Sequence, residues 1–411
     1  MPDESFDLTT DSGIVDMVGE WLKDQALGEV EVEALVDGCC NRLLAAGIPL
    51  WRVLVSFRTL HPLYARVWLI WRRGEGMGVL ESMHGRSSTT DAFRQSPFFH
   101  MIESGIPYLR RRLVGDRALL DFPVLEEFRD EGATDYLASL VPFTTESYTE
   151  DVANGITASW ATDRDSGFSN QDIRSLKRIE KQLAVTCKVM INDRIARNVV
   201  DTYLGPVAGR QVLKGAIRRG DGESIHAVLW YCDMRESTRL ASALPARDLL
   251  ALLNTYFECT AGAVMAEGGE VLLLLGDAVL AIFPIQEISL DSRRACEQAM
   301  AAAALAGQRI AEVNTERQAA GQEAIEFGLG LHVGDVMYGN IGVPERLQFT
   351  VVGPAANEVA RIEGLTKELG QRILASKAFV TSLPDKWQSM GQFELKGLAE
   401  AVEVFAPPEG D

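Results

Sequence analysis

Two aspartates stand out by position. Asp233 follows the apolar run 225–231, and Asp277 lies in Gly276-Asp277, between the runs 270–275 and 278–283. The three runs read as strands, and the Gly-Asp pair reads as a two-residue hairpin turn. In a split βαβ sheet the first and third strands lie side by side, so the end of the first and the turn into the third meet at one edge. Two carboxylates brought together there repel unless a cation sits between them. Such a pair suits one or two Mg²⁺ or Mn²⁺ ions, and those ions suit a triphosphate. Taken singly, Asp233 reads as a cap and Asp277 as a turn residue; taken together they favour the metal. The stretch Met234-Arg235-Glu236-Ser237-Thr238 precedes a helical run, where backbone N–H groups suit phosphate oxygens. Asn357 and Arg361 stand four apart on an expected helix and share a face. They suit a polar clamp for charge that develops in a reaction; taken in isolation, the pair reads better as a solvated face.

These residues need a frame. Residues 225–231 form a strand, 245–267 a helix, 270–275 and 278–283 two strands, 290–317 a helix and 326–333 a strand. That order is β-α-β-β-α-β, the ferredoxin-like split unit. A strand at 347–352, a helix at 353–369 and short strands near 393–395 and 402–405 follow. Upstream, 172–204 reads as one long helix whose Leu176, Ile179, Leu183, Cys187, Met190 and Ile191 make a stripe suited to a partner helix. Gly205-Pro206 ends it, and Gly209, Gly215, Gly220 and Gly222 mark a hinge. Before it, helical patterns at 14–25 and 30–44 and strands at 51–57, 65–71 and 155–160 describe a small α+β domain.

Composition bounds the partners. The chain has 411 residues, 47% hydrophobic and 24% charged, enough for two or three packed domains. With 58 acidic and 40 basic residues the net charge is −18, which argues against nucleic acid or an anionic membrane as the main partner. Six cysteines without paired spacing read as reduced thiols. The acidic start lacks an apolar core and no apolar run reaches membrane-spanning length. A cytoplasmic protein without membrane insertion is expected.

The region from about Glu223 to Phe405 resembles the catalytic domain of the class III nucleotidyl cyclases, the adenylate and guanylate cyclase family. The resemblance rests on Cys232-Asp233-Met234-Arg235, Gly268-Gly269, Gly276-Asp277-Ala278-Val279, Gly328-Leu329-Gly330-Leu331-His332-Val333-Gly334, Val352-Gly353 with Asn357 and Arg361, and Leu395-Lys396-Gly397. It implies a head-to-tail homodimer with active sites at the interface. Asp233 and Asp277, helped by the Met234 carbonyl, would hold two Mg²⁺ or Mn²⁺ ions. One ion would activate the ribose 3′-hydroxyl and the other would hold the triphosphate of ATP. From the other protomer, Asn357 would orient the ribose, Arg361 would stabilise charge on the α-phosphate, and Lys396 would reach the triphosphate. Glu236, Ser237 and Thr238 fall at the phosphate-side loop. In adenylate cyclases of the family a base-reading lysine usually stands where Leu273 is, and its partner is an Asp or a Thr, here Thr350. Leu273 cannot donate, and an unpaired adenine nitrogen costs on the order of 1–3 kcal/mol. Guanylate cyclases usually have Glu there. The resemblance thus implies an adenylate cyclase, a phosphorus–oxygen lyase. The alternatives are a catalytically weak or inactive cyclase-like nucleotide-binding or dimerisation module, and a cyclase of relaxed purine selectivity.

Residues 132–136, the strand at 156–160 and the helix from Ser169 resemble a GAF-type sensory domain, as found ahead of such cyclase domains in bacterial proteins. The expected organisation is N-terminal helices at 1–45, a GAF-like domain at 46–185, a helical linker and hinge at 186–222 (its helix starting near 172), and the cyclase domain at 223–411. The resemblance implies regulation by a small-molecule or protein signal at the N-terminal domain. Cys39, Cys40 and the tryptophans Trp51, Trp68 and Trp71 read as core, and His61, His84 and His100 lack ligand spacing.

Overall fold

The computed structural model describes residues 12–83, 91–143, 155–285, 291–383, 386–395 and 400–408. The chain divides into two compact units, Met1–Thr202 and Tyr203–Asp411.

In the first unit α1 (Ser12–Gln25) and α2 (Val32–Ala45) lead into β1 (Arg52–Arg58), β2 (Tyr64–Arg72) and β3 (Gly76–Met83). Then come α3 (Asp91–Arg94), α4 (Pro97–Ser104), β4 (Tyr108–Arg112), α5 (Pro123–Asp130), β5 (Asp135–Pro142), β6 (Gly155–Thr162) and α6 (Asn170–Leu204). The six strands make one sheet in the order β3-β2-β1-β6-β5-β4, with antiparallel neighbours throughout. Both faces are covered, so β6 is buried along its whole length. One face packs Val55, Phe57, Trp71 and Trp160 against Leu22, Leu35 and Leu183 of α1, α2 and α6. The other packs Tyr136 and Ala138 against Met101 of α4 and Leu125 and Phe128 of α5.

This packing corrects the reading of the long helix. Leu176, Ile179, Leu183, Cys187, Met190 and Ile191 are buried in the core of their own unit. The inner face of the sheet needs this helix as part of its cover, so the stripe meets no partner helix. A different set on α6 is exposed: Val185, Val189 and Val199. Together with the exposed Asn192 and Ala196 they stand at alternating spacings of four and three, the pattern of a coiled-coil seam. The six cysteines are free and buried. Burial pushes the Cys39 thiol up to about 12, which leaves it unreactive.

The second unit holds α7 (Pro206–Leu213), β7 (Gly222–Met234), α8 (Ser237–Ala243), α9 (Ala246–Cys259), α10 (Ala261–Ala266), β8 (Glu270–Leu275), β9 (Ala278–Pro284) and α11 (Asp291–Ala319). It continues with β10 (Phe327–Val343), β11 (Arg346–Val352), α12 (Pro354–Glu368), β12 (Ile373–Ser376), α13 (Lys377–Val380), β13 (Gln388–Phe393) and β14 (Val402–Ala406). The sheet order is β13-β14-β12-β10-β7-β9-β8, with β11 paired to β10. The expected β-α-β-β-α-β unit therefore folds with its fourth, first, third and second strands side by side. Helices α9, α10 and α11 cover one face through Leu252, Tyr256, Val264, Ala299 and Ala303. Helices α7 and α12 cover the other through Ala208, Ala355 and Val359.

The stretch Ala246–Ala266 is long and apolar enough to cross a membrane, with a mean hydropathy of 1.3. It is broken at Thr260, however, and packs Tyr256 and Ala263 into the core, as a core helix does.

Glycines decide how closely α12 lies on the sheet. Gly328, Gly330 and Gly334 share one face of β10. A Cβ on Gly330 would stand 2.6 Å from the Val359 carbonyl oxygen, and one on Gly334 would stand 2.7 Å from the Ala355 Cβ. Only bare backbone admits the helix at this distance.

Candidate active site

Strand β7 runs past its apolar core, because pairing continues on both sides as far as Asp233. Asp233 lies opposite Ala278 of β9 and Gly328 of β10. It is thus the penultimate residue of the strand, not a loop residue beyond it. Asp277 sits in the two-residue turn between β8 and β9, where Leu275 pairs with Ala278. The first and third strands of the unit are neighbours, and that adjacency brings the two carboxyls together.

The Asp233 and Asp277 carboxyls approach closely enough for one shared proton to bond them. Burial, then that hydrogen bond, then the charges of Asp277 and Glu363 push Asp233 up to about 7. Once deprotonated, the pair offers only acceptors. Oδ1 of Asp233 is buried and has no hydrogen-bond donor among the described residues. An orphaned buried carboxylate oxygen beside a second carboxylate fits a hard divalent cation. Among the described residues no three His, Cys, Asp or Glu side chains converge tightly enough to form a metal cage by themselves. The fit therefore depends on two carboxylates, a main-chain oxygen and ligands from solvent or substrate. Met234, expected to lend that oxygen, is the last residue of the strand, and its side chain is buried in the core.

A third carboxylate, Glu363 of α12, escaped the sequence reading. A Cβ on Gly328 would stand 2.3 Å from its Oε1, so the Glu363 carboxyl rests on the residue that pairs with Asp233. Burial raises its pKa, the Thr366 hydroxyl and the Arg235 charge oppose the rise, and Asp277 adds to it. The only sequence signal was an acidic residue two positions after Arg361, on the helix expected to cross the Gly-x-Gly strand.

Of the two positions expected to face the base, Leu273 lies one pleat away. Tyr231, Leu280 and Leu273 form one cross-strand row, next to the row of Asp233 and Ala278. A bulge between Val271 and Leu273 turns Leu272 and Leu273 toward the face that α12 covers, where Leu273 packs half-buried. Thr350 lies on β11 opposite Gly339, and β11 touches β8, so its strand reaches that of Leu273.

Asn357 and Arg361 are exposed on α12, and among the described residues neither side chain has a hydrogen-bond or ionic partner. Glu236 adopts a left-handed φ of 60°, unlike any other described non-glycine residue. It accepts from Lys367 Nζ at 3.2 Å. Ser237 and Thr238 open α8, directly after it. Lys396 lies outside the described residues.

Residues 223–406 match the adenylate and guanylate cyclase catalytic domain family. An adenylate cyclase of Anabaena cylindrica is 29% identical over 222 residues, which cover 52% of this chain and 42% of that protein. Adenylate cyclase 1 of Rhizobium meliloti is 29% identical over 179 residues, covering 43% of this chain and 26% of that protein. The chain thus spans less than half the length of these two relatives. Among solved structures, the adenylyl cyclase CyaB from P. aeruginosa is similar, at 20% identity and a TM-score of 0.42 over 46% of this chain and 97% of that one. The segment with the strand order, the carboxylate pair and the glycine-lined helix seat is, at residues 223–406, a catalytic domain of the adenylate and guanylate cyclase family.

Proposed function

We propose that this chain is an adenylate cyclase that converts ATP to 3′,5′-cyclic AMP and pyrophosphate in a head-to-tail homodimer. The observation that carries the reading is the Asp233–Asp277 pair with its orphaned buried oxygen. Asp233, Asp277 and the Met234 carbonyl would hold two Mg²⁺ or Mn²⁺ ions. When bound, such ions lower the pKa of the ribose 3′-hydroxyl and neutralise the triphosphate. The chain's own residues do the rest. Arg361 meets charge developing on the α-phosphate, and Asn357 fixes the ribose so that its 3′-oxygen stands in line with the leaving pyrophosphate. Both are exposed on α12 and have no side-chain partner among the described residues, as groups that serve a second copy would. The seam of Val185, Val189, Asn192, Ala196 and Val199 on α6 supplies a surface for the same two-fold contact. The first unit acts as a GAF-type sensor, and α6 couples it to catalysis.

Leu273 favours a second reading, a cyclase of relaxed purine choice, because an apolar half-buried side chain stands where a base would be read. One assay tests both. The protein is incubated with ATP or GTP and Mn²⁺, and cyclic product is measured. Cyclic AMP that disappears in Asp233→Ala supports the first reading. Similar rates on ATP and GTP that diverge toward ATP in Leu273→Lys support the second. No cyclic product from either nucleotide, even with Leu273→Lys, rejects both.

A further inference from the structure

We propose that Glu363 is a positioning residue that ties helix α12 to cation occupancy at Asp233 and Asp277. The inference rests on the cation reading of that pair.

The geometry comes first. Glu363 lies on the inner face of α12, and its carboxyl is laid over Gly328, the strand partner of Asp233. Oε1 accepts from the Thr366 hydroxyl one turn later, at 3.3 Å. Arg235, two residues beyond Asp233, donates to the Gln371 carbonyl at 2.9 Å, just past the C-terminal end of α12. The end of β7 is therefore linked to α12 at two places, through a carboxylate over its strand partner and through a hydrogen bond beyond the last turn. Asn357 and Arg361 ride on the same helix, six and two residues before Glu363.

The sign of the force on Glu363 depends on the cation. Without it, Glu363 faces the negative field of the Asp233–Asp277 pair, which one shared proton and the Arg235 charge reduce but do not remove, and that field weakens the seat of α12 on the strand end. One dication cancels the charge of the two aspartates and a second reverses it, so the same carboxylate is first released from repulsion and then drawn inward. Partial burial keeps solvent from screening the effect fully. Glu363 need not touch the ion; attraction across a water suffices. A bound cation thus sets the seat of α12, and with it the angle at which Asn357 and Arg361 are presented. If those two residues serve the partner's site, filling one site orders the clamp of the other.

The test has two readouts, neither of them turnover. Mn²⁺ affinity is read from the free-ion electron paramagnetic resonance signal, and the seating of α12 from amide hydrogen exchange with and without saturating Mn²⁺. In the wild type, Mn²⁺ is expected to slow exchange across 354–368 by roughly tenfold. Glu363→Gln is expected to bind Mn²⁺ about tenfold more weakly. At saturation it should lose the α12 protection while keeping that of β7. Glu363→Asp keeps the charge but shortens its reach, and should fall between the two; it also serves if the Gln variant fails to fold. Equal α12 protection in the wild type and either variant at saturating Mn²⁺ overturns the proposal and leaves the cyclase reading standing. A wild-type protein that binds no Mn²⁺ overturns the cyclase reading and this inference together.

Discussion

Asp233 is placed at a cost. Burial and a second carboxylate push it up, and one of its oxygens has no donor among the described residues. A group selected only for stability would not be left so. Asp233→Asn keeps the shape, removes the repulsion and brings a donor for Asp277. It is expected to stabilise the second unit by about 1 kcal/mol once solvent screening of this partly exposed group is discounted, and so to raise its melting temperature. The same change should abolish cyclic nucleotide formation. Scanning calorimetry beside a product assay checks both, and a lower melting temperature would reject the argument. The two aspartates were legible in the sequence because each sits at a strand end or turn that apolar runs delimit. Glu363 was not, because its place depends on a side chain that Gly328 lacks, across the sheet and 35 residues away.

Elements obey the same logic of fit. The glycines of β10 let α12 lie against bare backbone, and α12 carries Asn357, Arg361 and Glu363. In Gly330→Ala the new methyl would meet the Val359 carbonyl at 2.6 Å and the Glu363 nitrogen at 2.8 Å. Both are backbone atoms, so the helix must move as a whole. The expected loss is about 1–3 kcal/mol of stability in the second unit. Activity should fall by at least about tenfold at temperatures where the variant stays folded, since small misplacements of catalytic groups are costly. Urea melts and initial rates at one temperature decide it; wild-type activity in a destabilised but folded variant would show that the seat of α12 is immaterial. Apolar runs marked the strands of this unit but not their ends. Strands β7 and β10 pair far beyond the apolar stretch, from Met234–Phe327 to Gly222–Gly339. The helix expected over 245–267 breaks at Thr260, whose hydroxyl bonds back to the Tyr256 carbonyl at 2.8 Å. Strand β3 went unread because its glycines and lone apolar residues show no alternation. On α6 the periodicity was clear but its destination was not: a stripe that suits a partner helix equally suits the chain's own sheet.

Across the whole molecule, acidity divides into two kinds. Most of the net charge of −18 lies among solvated groups, while a few carboxylates are held inside, where protonation and folding are linked. Glu180 of α6 is the clearest of these outside the active site. It is 1% exposed and accepts from the Ser139 hydroxyl and, at 3.3 Å, from Trp160 Nε1. Tyr108 also bonds it, and Lys177, one turn earlier on α6, supplies the positive charge. Burial outweighs these and lifts it from its ordinary 4.5 to about 7. An acid whose folded pKa is raised binds its proton more tightly in the folded state. Its stabilisation is therefore complete below about 4.5, falls as the pH climbs through about 7, and is absent above. The span corresponds to about 3 kcal/mol at 1.4 kcal/mol per pH unit. Glu180→Gln keeps an acceptor for Trp160 and cannot ionise. It should match the wild type at pH 5 to within about 1 kcal/mol and exceed it at pH 8 by about 1–3 kcal/mol. Denaturant melts of the two proteins at both pH values measure the difference directly. Parallel pH profiles would mean that Glu180 stays charged in its socket. A profile that converges only at low pH would place a proton, near neutrality, on the helix proposed to link sensing to catalysis.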